Sequence, residues 1–225
     1  MKIELEKQIE IAVSILKNGG VVAFPTDTVY GLGANIMQEN AIKKVFSIKK
    51  RNRSVPLPVL LSDITQLNQA ISPVTKLADS IARHFWPGAI TIVGYKSPQI
   101  PDIVTGGANT IAVRIPDHKI PLALINKLGY PITGTSANIS GNKNVMTARE
   151  AQNQLGNTID FIIDDGIGCS NNIASTIIDI TTKNPRIIRE GAVPSEEIIN
   201  FLHLNFEGDL NKCVSPWEMT IKDSS

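Results

Sequence analysis

The chain has 225 residues, of which 42% are hydrophobic and 19% charged, and a net charge of +1; this is an ordinary globular make-up, long enough for a sizeable core. Near-neutral charge excludes attraction of anions by global balance and leaves that task to local clusters of cations. No apolar run approaches the roughly 18 residues of a membrane helix, and the acidic N-terminal stretch does not read as a signal peptide.

Cys169 and Cys213 form no disulfide framework, and His84, His118 and His203 show no metal-ligand spacing. The expectation is a reduced, cytoplasmic protein without a metal site of its own. In chain order, Ile9, Ala12, Val13 and Leu16 mark one face of a helix over 7–18 that Gly19-Gly20 stops. Residues 21–24 read as a buried strand, ended by Pro25, which lacks a backbone donor. The hydroxyl-rich run Thr26-Asp27-Thr28-Val29-Tyr30 then closes on Gly31 and Gly33, positions for a positive φ or a close ligand approach. A strand running into a polar loop is a common place for a site in an α/β sheet, although Thr26 and Asp27 can equally serve local turn bonds.

Asn40 is placed to cap a helix with the stripe Ile42, Val45 and Phe46, which leads into the basic group Lys43, Lys44, Lys49, Lys50, Arg51 and Arg53. Most of that group reads equally well as a solvated face. Lys49 and Arg51 stand apart, because alternate residues leaving a helix can project together into a cleft. Residues 56–61 read as a strand and Asp63 as a cap. Ser72-Pro73 reads as a cap and first helical position for the stripe Val74, Leu77, Ala78, Ile81 and Phe85.

Strands at 89–95 and 110–115 flank an exposed loop over 96–109, and 120–128 is helical. A second strand-to-loop transition covers 131–141, and Thr147 and Glu150 have capping-box spacing. Strands at 161–163, 176–180 and 186–188 follow, then a helix from a Ser195 cap to about Leu204. The result is one α/β domain over 1–204 with a tail over 205–225. Some connections are too short for crossovers, so antiparallel pairs must mix with parallel ones.

The common phosphate loops do not fit. Gly31-Leu32-Gly33-Ala34-Asn35-Ile36 lacks the third glycine of a dinucleotide fingerprint, and no Gly-Lys-Ser/Thr occurs. Gly134-Thr135-Ser136-Ala137-Asn138 misses a nucleophile elbow at its last position, so Ser136 and Asn138 read rather as phosphate or sugar ligands.

Taken together, Phe24-Pro25-Thr26-Asp27-Thr28-Val29-Tyr30-Gly31-Leu32-Gly33 resembles the opening motif of the YrdC family, the threonylcarbamoyl-AMP synthases. Lys49-Lys50-Arg51 with Pro56-Leu57, Trp86-Pro87-Gly88, Ala112-Val113-Arg114, Ser136 to Gly141, Ser175-Thr176 and Arg189-Glu190-Gly191 resemble further elements in the family's order. The resemblance implies a single-domain YrdC-like twisted mixed sheet with flanking helices and a large positively lined cleft. It implies that L-threonine, bicarbonate and ATP, with Mg²⁺, give threonylcarbamoyl-AMP and pyrophosphate. Partner enzymes would then use that product to modify tRNA.

By the same resemblance Thr26, Arg114 and Ser175 hold L-threonine, and Lys49 and Arg51 are the catalytic cations. Lys49, Arg51, Thr110, Ser136, Asn138 and Arg189 face the nucleotide, with Thr135 a neighbour. Asn142-Lys143-Asn144 replaces an Arg-Pro-rich turn, and 205–225 is too short for the second domain of longer relatives. The implied chemistry suits these residue types. A carbamate must attack a phosphate, and two unit charges at about 4 Å repel by about 4 kcal/mol at an effective dielectric near 20. Fixed cations offset that repulsion. The alternatives are a non-enzymatic RNA-binding module using the same basic cleft, against which 5% aromatic content argues, and a carbamoyl-transfer enzyme with another acceptor.

Overall fold

The computed structural model describes residues 4–169 and 172–206. The expected tail over 205–225 starts too early, since residues 205 and 206 belong to the last helix and Phe206 is buried; its remainder from 207, with Cys213, lies outside the described residues. The elements run α1 (Leu5–Lys17), β1 (Val22–Phe24), β2 (Gly31–Gly33), α2 (Glu39–Lys49), β3 (Val59–Leu60), α3 (Leu67–Ala70), α4 (Lys76–Phe85), β4 (Ile90–Tyr95) and α5 (Asp102–Thr105). They continue with β5 (Thr110–Arg114), α6 (Lys119–Leu128), β6 (Ile132–Thr133), β7 (Thr135–Ser136), α7 (Ala148–Leu155), β8 (Phe161–Ile162), β9 (Thr176–Asp179), β10 (Arg186–Arg189) and α8 (Ser195–Phe206). No helix among the described residues is long and apolar enough to cross a membrane.

The expected mixture of strand directions is distributed over two sheets. One has the order β7-β2-β1-β8 and the other β10-β9-β4-β5-β3-β6. β1 is antiparallel to β2 and parallel to β8; β4 is antiparallel to β5 and parallel to β9. Gly134 separates β6 of one sheet from β7 of the other, so the chain changes sheets there. Its backbone amide donates to the Pro58 carbonyl at 2.8 Å. Next to it the buried Thr133 hydroxyl accepts from the Ala34 amide and donates to the Leu32 carbonyl, both at 3.0 Å. A larger side chain does not fit at Gly134: a Cβ would stand 2.3 Å from Leu60 Cγ.

Amphipathic periodicity accounts for the helices. Ala12, Val13 and Leu16 of α1 meet Ile120, Leu124, Ile125 and Leu128 of α6 over Val22 and Phe24 in one apolar cluster. Four local expectations are corrected. Gln38, not Asn40, stands at the N-cap of α2. Thr75, not Ser72, caps α4, its hydroxyl accepting from the Ala78 amide at 3.1 Å. Residues 96–109 are no exposed loop, since α5 buries Val104 and Thr105 completely. Ser195 is the first residue of α8, and its hydroxyl donates to the Glu190 carboxylate. The Thr147 box forms with a variation: Thr147 accepts from the Glu150 amide, while Glu150 accepts from Met146.

Gly31 and Gly33 have neither positive φ nor a turn to make. They lie in β2 opposite Phe24 and Val22, and an added Cβ would come within 2.9 Å and 2.6 Å of the Phe24 ring. The glycines make room for a buried aromatic. Gly33→Ala is therefore expected to lower stability by about 1–3 kcal/mol through overpacking, read as a reduced urea midpoint at unchanged m-value.

Candidate active site

A cavity of about 530 Å³ is lined from both sheets and by the loop after β1, a size typical of small-ligand sites. Its floor follows strand parity, in which alternate residues share a face. Thr91 and Val93 of β4, Ala112 and Arg114 of β5, and Ile177 of β9 with Ser175 just before it all line it.

Thr26, beyond β1, forms a local turn. Its hydroxyl accepts from the amides of Thr28 (3.1 Å) and Val29 (3.3 Å) and donates to the Val29 carbonyl (2.7 Å). Turn chemistry and a place on the cavity wall therefore coincide in one residue. The buried Arg114 donates from Nε to the Gly88 carbonyl at 2.8 Å and from Nη1 to Thr28 Oγ1 at 3.0 Å. Its Nη2 donates to both oxygens of Asp27 at 2.6 Å. Burial pulls its pKa down, and Asp27 opposes the shift.

Ser175 Oγ lies 2.7 Å from Thr91 Oγ1, and the Ser175 carbonyl accepts from Arg189 Nε at 3.2 Å and Nη2 at 2.7 Å. Arg189 has no carboxylate partner among the described residues. Its pKa is lowered by burial and then by the charge of Arg114. Two guanidiniums thus face the same space, an arrangement that favours an anion between or beside them.

Lys49 and Arg51 do not enter the cavity together. Arg51 lines it, donates from Nη2 to the Pro56 carbonyl at 2.7 Å, and leaves a buried Nε without a hydrogen-bond partner. Lys49 turns beneath, with 1% of its surface exposed. Its ammonium donates to the Ser136 carbonyl, to the Asn138 carbonyl at 2.8 Å and to Asn138 Oδ1 at 3.1 Å. Burial, with the Arg51 charge second, brings its pKa from 10.5 down to about 7.

Asn138 is also outside the cavity lining and is bonded to its neighbours. Oδ1 accepts from Ser136 Oγ at 2.6 Å and Nδ2 donates to the Asn142 carbonyl at 2.6 Å. Ser136 and Thr135 do line the cavity, whereas Thr110 sits opposite Tyr95 at the head of β5 and outside the lining. Sequence reasoning passed over Asp27, Thr28 and Thr91 as site residues. The first two lay inside the recognised motif; strand parity with Val93 was the only signal for Thr91.

A family model described as "Telomere recombination" (Sua5/YciO/YrdC) matches residues 14–191. The chain belongs to this family. As a Sua5/YciO/YrdC member it is 41% identical over 196 residues to the threonylcarbamoyl-AMP synthase of Pyrococcus abyssi, covering 86% of this chain and 56% of that protein. With the Bacillus subtilis enzyme of the same name it shares 39% over 197 residues, again 86% and 56%. The chain thus spans little more than half the length of these two relatives. The Vibrio vulnificus threonylcarbamoyl-AMP synthase is 36% identical and matched over 98% of its length and 81% of this chain. Among solved structures, P. abyssi Sua5 complexed with L-threonine superimposes with a TM-score of 0.86 at 38% identity, covering 95% of this chain and 61% of that one. Escherichia coli YciO gives 0.76 at 27% identity, covering 85% and 92%. The mixed α/β architecture is that of the family.

The burial of Lys49 makes it a structural residue as well as a neighbour of the cavity. Lys49→Ala removes three charge-assisted bonds and a buried side chain, leaves the Asn138 carbonyl without the ammonium that it faces, and should cost about 2–4 kcal/mol, measured by urea unfolding. The pH dependence has a defined sign. The folded-state pKa near 7 lies below the ordinary 10.5, so between those values the unfolded chain binds the extra proton. Wild-type stability relative to Lys49→Met should therefore rise from pH 7 towards pH 10.

Proposed function

We propose that this family member is an L-threonylcarbamoyladenylate synthase, which condenses L-threonine with bicarbonate and transfers the AMP of ATP to the resulting carbamate, releasing pyrophosphate. The observation that carries the reading is the pair Arg114 and Arg189. They are like charges lining one cavity in a chain up to 41% identical to threonylcarbamoyl-AMP synthases. Its support includes a solved relative described as complexed with L-threonine. In this reading the cavity is a cationic cleft. Thr26, Arg114 and Ser175 receive the amino acid, while Arg51, Ser136 and Arg189 receive the phosphates. Lys49 and Asn138 act from beneath by fixing the turn that carries Ser136.

The division of labour follows from charge. A carbamate oxygen and an α-phosphate repel until cations already in place share the charge that develops between them. Arg51 contributes one such cation, and its buried Nε without a partner is a donor that a phosphate oxygen would satisfy. Holding both reactants in one cavity provides the remaining rate enhancement by positioning, without a covalent nucleophile. No carboxylate is among the cavity-lining residues, so the protein's own side chains do not fit a Mg²⁺ site. The ion belongs with the triphosphate, whose oxygens are ligands that it prefers. The product suits onward transfer to tRNA by other enzymes, in the cytoplasm where ATP, bicarbonate and tRNA meet. The RNA-binding alternative gains nothing from the relatives' names.

Pyrophosphate release from ATP is expected to require both L-threonine and bicarbonate; release without either, or salt-sensitive RNA binding without turnover, overturns the reading. Arg51→Ala should reduce kcat/KM for ATP by about 10². Lys50, at the left-handed C-cap of α2 with φ 49° and exposed, is the control, and Lys50→Ala should stay near wild type. Equal losses in the two variants would mean a diffuse basic patch rather than a placed arginine.

A further inference from the structure

Arg114 is held more completely than a substrate-binding arginine needs to be. Its five N–H donors are largely spent on the protein: Nε on Gly88, one Nη1 hydrogen on Thr28, and Nη2 on both oxygens of Asp27. One donor remains, on Nη1. Thr28, the partner of Nη1, lines the cavity, whereas Asp27, the partner of Nη2, lines an adjoining groove with Gly88, Asp117 and His118. Nη1 is thus bonded to a residue of the cavity wall, while Nη2 is held by one that is not. Asp27, a carboxylate belonging to the protein, takes up Nη2 with both of its oxygens, so the two-nitrogen grip that usually holds a carboxylate is not free for a ligand. The pair is shielded, with side chains 8% and 17% exposed, so solvent screens it little.

We propose that Asp27 is a positioning residue that weakens the hold of Arg114 on the substrate's α-carboxylate, so that the product, which carries the same carboxylate, can leave. This rests on the reading of the cavity as an L-threonine site. The carboxylate of L-threonine takes no part in the bonds made or broken, so it is bound equally before and after reaction. Binding of that kind lowers KM without raising kcat, and when it is strong it makes product release the slow step. With Nη2 taken and its charge shared, Arg114 makes one directed contact through Nη1 that orients the amino acid. Thr28 fixes the plane of the guanidinium, and Asp27 sets how tightly it binds.

The test is Asp27→Asn, which keeps the shape and one acceptor for Nη2 but removes the charge. The KM for L-threonine should fall by about tenfold, the scale of one charge-assisted contact. The kcat should fall with it, and single-turnover mixing should show a burst of bound threonylcarbamoyl-AMP that wild type lacks. L-Threoninol, which has no carboxylate, should bind wild type and variant equally. A pair that is merely structural would raise KM or leave it unchanged when broken, and either result overturns the proposal, as does tighter binding of L-threoninol. Asp27→Ser, a smaller acceptor, gives the same reading if Asp27→Asn does not fold. Calorimetric binding of L-threonine without ATP keeps the two ideas separable. Tighter binding by the variant supports the role of Asp27 even if wild type releases no pyrophosphate, whereas turnover by wild type with unchanged binding by the variant removes this inference and leaves the function standing.

Discussion

A buried ammonium has three hydrogens to satisfy, and Lys49 satisfies all of them on one short piece of chain. Its acceptors are the carbonyls of Ser136 and Asn138 and the Asn138 side chain, while its own carbonyl accepts from the Ser140 amide at 2.9 Å. The end of α2 and the turn beyond β7 are thereby fastened at two points. That turn carries Ser136 to the cavity, and two residues past Lys49 the chain delivers Arg51 to it. A lysine with this many acceptors, and no carboxylate beside it among the described residues, serves geometry first: its desolvation is offset by charge-assisted bonds to three oxygens of one turn.

The cavity exists because two sheets share a strand path. β6 and β7 are consecutive in the chain yet belong to different sheets, and the close approach of Gly134 to Leu60 lets them follow one another without a loop. On one side stand the small hydroxyls of the loop after β1, and on the other the cations of β5 and β10. Arginine suits both cationic positions, since its planar donors can satisfy backbone carbonyls and still present charge. Arg189 does so on the Ser175 carbonyl, and Arg114 on Gly88.

Much of this was legible in the sequence where periodicity is long enough to carry a signal. The helices α1, α4 and α6, and strands β4, β5 and β9, follow their apolar patterns to within a few residues. The division into two sheets was not legible, because strands of two or three residues such as β3, β6 and β7 are too short to show alternation. α5 was hidden for the same reason, four residues in a stretch rich in Pro and Gly. Of the site, the motif residues Thr26, Arg51, Arg114, Ser136, Ser175 and Arg189 do come together. The burial of Lys49 could not be told from a solvated basic run, since only the fold reveals which lysine of a cluster turns inward. The Asp27–Arg114 pair joins residues 87 positions apart, a distance over which local pattern carries no information.

β1 is a fully buried apolar strand made early in the chain, and its parallel neighbour is β8, with Val22 beside Phe161 and Ala23 beside Ile162. Such pairing has high contact order, which slows folding because loop closure precedes any stabilising contact. During synthesis, at about 5–20 residues per second, the ribosome must complete most of the chain before β1 can be covered on that edge. The cavity is completed later still, since Arg189 comes from β10. A ligand that requires every wall can stabilise only the finished native state, so substrate gives the nascent chain no help, and β1 depends on its β2 hairpin and α1 for shelter until β8 arrives.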